Sequence, residues 1–177
     1  MLQSTAIFLS DSNQIKISNM MVNGATGVNG SALYAQNSST NFLGQNVFIN
    51  NSATDIGGAI LLHNCISNFS GNISFFNNIA SQGGALALIG GVHNIFGNIL
   101  FVNNSAKPDN ISAAALNPWQ CYSYQATTLY IGNGGAIHAV FNSTLSFETT
   151  SNAIFTQNTA TCTGGAISVY NLSLIHI

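Results

Sequence analysis

The sequence predicts an all-β fold, a parallel β-solenoid of about six coils with about 26 residues each. Three observations predict it. One tetrapeptide recurs at a nearly constant interval, a second tetrapeptide keeps step with it, and apolar residues alternate with period two between them. A unit of this length buries its apolar face only against neighbouring units, so we expect the units to stack as coils.

The first repeated tetrapeptide is Gly-Gly-Ala followed by Ile or Leu. Successive copies, counted from a degraded first copy, begin 27, 26, 51 and 30 residues apart, and 51 is close to twice 26. The glycine pair predicts a tight corner where a side chain would clash. The degraded copy is Gly30–Leu33, and the four clear copies are Gly57–Ile60, Gly83–Leu86, Gly134–Ile137 and Gly164–Ile167.

The second repeated tetrapeptide is Phe-x-x-Asn. Its copies are Phe48–Asn51, Phe75–Asn78, Phe101–Asn104 and Phe155–Asn158, with Met20–Ala25 as a degraded earlier copy. We expect the phenylalanines to stack as a column in the interior. We expect the asparagines at the following corner, because Asn tolerates left-handed backbone and stacked amides form hydrogen-bonded ladders.

Within a unit the apolar residues alternate as they do in strands, for example at Phe69, Ile73 and Phe75. After each glycine pair, two apolar residues share a face and the position between them varies. That variation predicts an outward-facing column, made of Leu61, Ala87, His138 and Ser168. No helical pattern occurs, and the many Asn, Gly and β-branched residues disfavour one.

Charged residues are only 3% of the 177, whereas Asn, Ser, Thr and Gln together are 66 residues. An ordinary domain has about 25% charged residues. A chain with no basic patch is not expected to bind nucleic acid. The longest stretch without strongly polar residues, 83–92, is about half the length of a membrane-spanning helix, so no transmembrane segment is predicted.

The same scarcity of charge argues against catalysis. Many parallel β-helices are polysaccharide lyases or hydrolases, whose sites need clustered carboxylates or basic residues beside metal-binding acids. The acids here stand apart in the sequence, Arg is absent, and the histidines share no repeat position. We predict no enzyme activity, no metal and no cofactor. The alternative is a fragment of a pectate-lyase-like enzyme whose active site lies elsewhere.

The two tetrapeptides together resemble the repeats of the chlamydial polymorphic membrane proteins, over roughly residues 20 to 170. They are also similar to repeats of right-handed parallel β-helix surface proteins of simple animals. The resemblance implies a right-handed solenoid, a location outside the cell or at its surface, and a role in adhesion. A bacterial outer-membrane passenger is the alternative location. We therefore expect a non-catalytic scaffold that recognises a cell-surface protein or a glycan.

The repeat domain is predicted to span residues 1–171 of a longer chain, and the unit 107–133 departs most from the pattern. We interpret 107–133 as a degenerate coil with an extruded loop. Residues 172–177 fall outside the repeat, and their sequence is encoded by a transposon end used in some sequencing libraries. They are interpreted as an adapter-derived, non-native tail, with an ordinary apolar strand as the alternative.

The loop of the degenerate coil has the sequence's only tryptophan and is rich in tyrosine. Because loops on rigid scaffolds often bind ligands, Trp119, Tyr122 and Tyr124 are the candidate ligand contacts. The alternative is that these aromatic side chains only cover the edge of a coil.

Three cysteines have no metal-ligand spacing. We predict a Cys121–Cys162 disulfide, which suits an oxidising compartment. Cys65 either has a partner in chain outside this segment or is a small buried apolar residue.

Asn-x-Ser/Thr sequons make N-glycosylation a second hypothesis, since glycans would supply the solubility that charge does not. The alternative is that asparagine-rich corners beside Ser and Thr generate these motifs through turn chemistry. The candidate acceptors are Asn29, Asn37, Asn50, Asn68, Asn72, Asn103, Asn110 and Asn142.

Overall fold

A computed structural model describes residues 5–107 and 132–170, together with the backbone of 174–176. The described residues form β-strands joined by short corners, without a helix. No helix in this part is therefore long and apolar enough to span a membrane.

The strands follow one another as successive coils. Coil 1 contains β1 (Ile7–Ser10), β2 (Ile15–Ser18), β3 (Met21–Asn23) and β4 (Thr26–Asn29). Coil 2 contains β5 (Leu33–Gln36), β6 (Ser39–Leu43), β7 (Gln45–Ile49) and β8 (Ser52–Ile56). Coil 3 contains β9 (Ile60–Phe69), β10 (Asn72–Phe76) and β11 (Ile79–Ala80). Coil 4 contains β12 (Leu86–Ile95), β13 (Asn98–Val102) and β14 (Ser105–Ala106). Coil 5 contains β15 (Ile137–Phe147), β16 (Asn152–Thr156) and β17 (Thr159–Ala160), and the chain continues into β18 (Ile167–Tyr170) and β19 (Leu174–His176).

Equivalent strands of successive coils pair in parallel and build three sheets. The first sheet follows the order β1-β5-β9-β12-β15-β18, and beside this order β6 pairs with β9, β2 pairs with β6, and β19 pairs with β15. The second sheet has the order β16-β13-β10-β7-β3, and the third has the order β17-β14-β11-β8-β4. The predicted parallel β-solenoid is confirmed.

The phenylalanine column lies in the interior as predicted. Phe48, Phe75 and Phe101 are fully buried, and with Phe155 they stack at ring-centroid distances of 5.1, 4.7 and 5.0 Å. These separations match the spacing of about 4.8 Å between neighbouring strands, so each ring covers the ring below it. The motif recurs because each copy contacts its own equivalent in the next coil.

The described residues form five coils, whereas the repeat predicted about six for the whole chain. β12 and β15 are direct neighbours, with Leu86 paired to Ile137, although 108–131 lie between coil 4 and coil 5 in the sequence. The glycine pairs on either side of this interval also meet, since Gly84 N–H donates to the Gly134 carbonyl oxygen. The two glycine pairs that lie 51 residues apart in the sequence therefore belong to neighbouring coils of the stack. The interpretation of 107–133 as a degenerate coil stays a prediction, because most of that segment lies outside the described residues.

The left-handed residues of the asparagine corner lie one position earlier than predicted. Asn50, Asn77 and Asn103 have φ of 54° each, and Gln157 has φ of 55°. The asparagines that follow them form the predicted ladder, in which Asn51, Asn78 and Asn104 are buried and Asn158 is half-buried. The corner thus uses two consecutive residues, one for the backbone turn and one for the amide ladder.

The column predicted to face outward is buried instead. Leu61 is 3% exposed, Ala87 is fully buried and His138 is 2% exposed. These residues do occupy one register column, since Ala87 pairs with Leu61 and with His138. Variation at this position therefore does not reflect exposure to solvent.

The segment interpreted as an adapter-derived tail contributes a strand. The backbone of β19 pairs with β15, with Leu174 opposite Thr144 and His176 opposite Ser146. That position continues the first sheet. The origin of residues 172–177 stays a prediction that genomic sequence across Tyr170 tests.

Candidate functional site

The aromatic residues predicted to contact a ligand, Trp119, Tyr122 and Tyr124, lie outside the described residues, as do Asn110 and Cys121. Their roles remain predictions.

The two other cysteines differ in state. Cys162 is disulfide-bonded, and its predicted pairing with Cys121 stays a prediction because Cys121 lies outside the described residues. Cys65 is a free thiol in the interior, with Sγ 3.4 Å from the carbonyl oxygens of both Ala35 and His63. Burial raises the pKa of this thiol. Its environment matches the expectation of a small buried residue.

The seven sequon asparagines that the structure describes differ in exposure. Asn29 and Asn68 are half-buried, and Asn37, Asn50, Asn72, Asn103 and Asn142 are exposed. Of the exposed group, Asn37, Asn50 and Asn103 donate their side-chain N–H to a neighbouring carboxylate or amide. Asn142 lies within β15, at the irregularity in its pairing with β12, and has φ of 63°. The glycosylation hypothesis stays a prediction at all eight positions.

The outer face of the second sheet is the most distinctive exposed surface of the described solenoid. Along the three inner strands of this sheet, β7, β10 and β13, buried and outward-pointing residues alternate. The outward residues next to the phenylalanine column are mostly apolar. One column is Met21, Val47, Ser74, Leu100 and Ile154, and the next is Asn23, Ile49, Phe76, Val102 and Thr156. We call these two columns the second-sheet face.

Solvent reaches the second-sheet face most freely at its two ends. Met21 is 68% exposed and Ile154 is 45% exposed, while the side chains between them are half-buried. Apolar patches rimmed by polar residues on soluble proteins often mark interaction surfaces.

Amide side chains border this face on both sides. On one side Asn98 Nδ2 donates to Asn72 Oδ1 at 2.9 Å, and Gln45 and Asn152 continue the same column. Beside this border lies a shallow groove of ≈ 350 Å³, whose lining includes Ser74, Leu100 and Ile154.

On the other side an exposed ladder runs from Asn103 to Asn77, Asn50 and Asn23, with N···O distances of 2.7, 3.2 and 3.1 Å. The face and its borders contain no charged side chain. This surface therefore presents apolar contact area flanked by neutral hydrogen-bonding groups.

Two histidines are buried, but they do not form a reactive site. Burial lowers the pKa of both His93 and His138 to about 4, so both are neutral at pH 7. His93 Nε2–H donates to the Gly90 carbonyl oxygen at 3.1 Å, whereas neither ring nitrogen of His138 has a partner. Among the described residues, no group of three His, Cys, Asp or Glu side chains could hold a metal ion.

Sequence reasoning did not identify the second-sheet face. The signal was present in the second position of Phe-x-x-Asn, which is Ile49, Phe76 and Val102 in three copies. An apolar residue of a strand indicates an exposed contact surface only when it is known which alternate positions of that strand point into the interior.

The family model of the Chlamydia polymorphic membrane protein repeat matches residues 47–62, 98–140 and 152–170, which together make up just under half of the chain. No curated protein and no solved structure matches the chain. The first match covers the coil 2 corner and the start of β9, and the last covers β16 to β18. The solenoid is thus similar in its repeat to the Chlamydia polymorphic membrane proteins, as the two tetrapeptides predicted.

Proposed function

We propose that this chain is a non-catalytic scaffold displayed outside the cell or at its surface, where it adheres to a glycan or a protein. The second-sheet face is the observation that carries the proposal. Its exposed Met21 and Ile154 provide apolar contact area, and the bordering amides provide hydrogen bonds without net charge.

The chemistry of this face suits a neutral partner. Sugar rings offer hydroxyl groups to amides and C–H faces to aliphatic side chains, and the exposed surface of a folded protein offers a similar mixture. Specific interfaces likewise combine an apolar centre with a polar rim. A polyanion gains little here, because the face has no Lys or Arg.

Three observations support the proposed location. The matching repeat is that of a family of membrane proteins, Cys162 is disulfide-bonded, and exposed sequon asparagines lie along the solenoid. Disulfides persist mainly in oxidising compartments.

A matched pair of variants tests the second-sheet face. Ile154→Ser removes an apolar side chain from the face, and Val92→Ser removes one of similar exposure, 40%, from the outer side of the first sheet. Labelled protein is applied to a glycan array and to intact cells. We expect at least about tenfold weaker binding for Ile154→Ser and unchanged binding for Val92→Ser. Equal binding by both variants and the unsubstituted protein would contradict this role for the face.

The aromatic residues Trp119, Tyr122 and Tyr124 are tested on the same array with Trp119→Ala. We propose that they contact the same class of ligand. Binding that is unchanged by Trp119→Ala would remove them from the contact surface and leave the second-sheet face as the binding surface.

A further inference from the structure

The second-sheet face keeps one surface pattern through coils 2, 3 and 4. Each of these coils contributes two outward side chains, mostly apolar, with an amide on either side of them. In coil 4 the two side chains are Leu100 and Val102, and the amides are Asn98 and Asn103. Strands β7, β10 and β13 are inner strands of their sheet, so each pairs with a neighbour on both sides. The pattern therefore does not depend on the first or the last coil.

The border amides have hydrogen-bonding groups that the described residues do not use. A carboxamide has two N–H donors and two acceptor lone pairs. In the exposed ladder, Asn77 donates one N–H to Asn50 Oδ1 at 3.2 Å and accepts one from Asn103 at 2.7 Å. On the other border, Asn98 donates one N–H to Asn72 Oδ1 at 2.9 Å. Asn77 and Asn98 thus each retain a donor and an acceptor for a ligand.

The apolar part of the face is a strip that runs along the solenoid axis. Residues two apart on a strand lie about 7 Å from each other, so the columns of Leu100 and Val102 make a strip about as wide as one sugar ring. Equivalent residues of successive coils are about 4.8 Å apart. A ligand that lies along the axis stays in apolar contact from coil to coil, whereas a ligand that lies along a strand crosses the amide borders.

A shallow groove connects this strip to one of its borders. Ser74 has a shorter side chain than Val47 and Leu100, its neighbours in the same column. The groove of ≈ 350 Å³ is lined by Ser74 and Leu100 from the strip and by Asn72 and Asn98 from the border. A ligand in the groove therefore contacts apolar side chains and the unused amide groups together.

We propose that the strip binds a neutral, ribbon-shaped polysaccharide, made of β-linked sugars with equatorial substituents, at one sugar per coil. In such a chain the C–H bonds lie on the two flat sides of the ribbon, and the hydroxyl groups point to its two edges. The ribbon places C–H groups on the apolar strip and hydroxyl groups at both amide borders. Its advance per sugar is close to the spacing between coils, so successive sugars meet equivalent positions. This inference rests on the proposed function and names the class of glycan that the face binds.

The chemistry of the face separates this class from other ligands. No Lys or Arg lies on the face or its borders, so an acidic polysaccharide gains no charge-assisted hydrogen bond. A helical, α-linked glucan curves away from a straight column of side chains and contacts fewer coils. The irregular surface of a folded protein does not use the constant spacing of the border amides.

Cello-oligosaccharides from about two to about six sugars long are the probe, because each added sugar adds contact area along the strip. Isothermal titration calorimetry measures their affinity for the full chain, produced in bacteria so that the sequon asparagines on the borders stay unmodified. Because the columns pass through the five described coils, we expect the affinity to rise with each added sugar up to five and then to level off. Malto-oligosaccharides of the same length should bind at least about tenfold more weakly, because their chain is helical.

Asn98→Ala and Asn94→Ala are matched variants within coil 4. Each replaces an asparagine whose Nδ2 donates to the equivalent asparagine of the preceding coil, at 2.9 Å to Asn72 and at 3.0 Å to Asn68. Asn98 borders the strip, whereas Asn94 lies on β12 of the first sheet. We expect Asn98→Ala to weaken binding of the longest oligosaccharide about five- to tenfold and Asn94→Ala to leave it unchanged. Circular dichroism spectra and melting temperatures verify that both variants fold.

Three results would each overturn the proposal: an affinity that does not change with length, equal affinity for the two kinds of oligosaccharide, and equal losses for the two variants. No binding of the longest cello-oligosaccharide at about 1 mM, the weak end of the affinity range, would also overturn it.

The proposed function is tested separately from this ligand class. Binding to cells or to other glycans that Ile154→Ser weakens, without competition by cello-oligosaccharides, supports the adhesive role and overturns only the present inference. Dimerisation of the protein alone that Ile154→Ser abolishes would assign the face to a second copy and overturn both.

Discussion

Two asparagine ladders run side by side at the corner between the second and third sheets, and they differ in what their amides contact. In the exposed ladder of Asn23, Asn50, Asn77 and Asn103, the amides bond only to one another. In the buried ladder of Asn51, Asn78, Asn104 and Asn158, each side chain also bonds to backbone groups of neighbouring coils. Loss of an asparagine from the buried ladder therefore lowers the free energy of unfolding more than loss of its neighbour in the exposed ladder. Water can replace the lost hydrogen bonds only in the exposed ladder.

The largest expected effect is that of Asn78→Ala in the buried ladder. Asn78 Oδ1 accepts from both the backbone and the side-chain N–H of Asn51, and Asn78 Nδ2 donates to Phe48 O and Asn104 Oδ1. Removing it leaves buried groups without partners, at about 1–3 kcal/mol each, so we expect a loss of about 3–5 kcal/mol in the free energy of unfolding. Urea denaturation followed by circular dichroism measures it. A loss below about 1 kcal/mol would mean that the two ladders are equivalent.

Acid is expected to destabilise the fold through buried groups other than the ladders, whose amides do not titrate. Burial lowers the pKa of His93 and His138 to about 4, below the unfolded value of 6.5. The unfolded chain therefore binds more protons between these values, and stability falls as the pH decreases below 6.5. We expect a loss of about 2–3 kcal/mol between pH 7 and pH 5.5.

The matched variant for this pH dependence is His138→Leu, which places at 138 the residue type found in the same column at Leu61. Denaturation at both pH values should show about half of the original difference. An unchanged difference would show that His138 does not carry it.

A smaller effect is expected in the exposed ladder. Asn77 has φ of 54°, a conformation that costs an alanine about 1–2 kcal/mol and a glycine almost nothing. Asn77→Ala should therefore lower the free energy of unfolding by about 1 kcal/mol, and Asn77→Gly by less than about 0.5 kcal/mol. Equal losses for the two variants would assign the cost to the amide hydrogen bonds instead of the backbone.

The smallest expected effect is that of salt. Charged residues are 3% of the chain, and both ladders are neutral. Raising NaCl from about 0.05 to 0.3 M should change the free energy of unfolding by less than about 0.5 kcal/mol, because screening acts on charges. A larger change, measured in the same urea titration, would point to ionic contributions that the ladders do not explain.

Much of the fold could be predicted because the repeated residues contact their own copies. Phe75 stacks between Phe48 and Phe101, so its motif reports both the period and the register of the coils. The amide ladder at Asn78 was predicted for the same reason, since this asparagine also contacts its own copies in the neighbouring coils. The left-handed corner residue was placed one position late, because Asn77 and Asn78 are the same residue type and a pattern does not show which of the two turns the backbone.

The candidate site was harder to predict. The second position of the Phe-x-x-Asn motif is apolar in Ile49, Phe76 and Val102, and these side chains point outward. In the sequence they are not distinguishable from core residues, because the pattern does not show which alternate positions of the strand point into the interior. The burial of Leu61, Ala87 and His138 was missed for the converse reason, since variable residues were expected to be exposed.

The sequence by itself determined the period, the parallel stacking and the identity of the residues that stack. It did so because each coil places the same chemical groups about 4.8 Å above their equivalents, and favourable contacts between like groups select a repeat. Only the tertiary structure decided which of two adjacent asparagines is buried, that five coils stack without a rung between β12 and β15, and which outward faces remain open. These properties depend on how the corners orient each side chain and on which strand lies next to which, and neither is encoded in spacing along the chain.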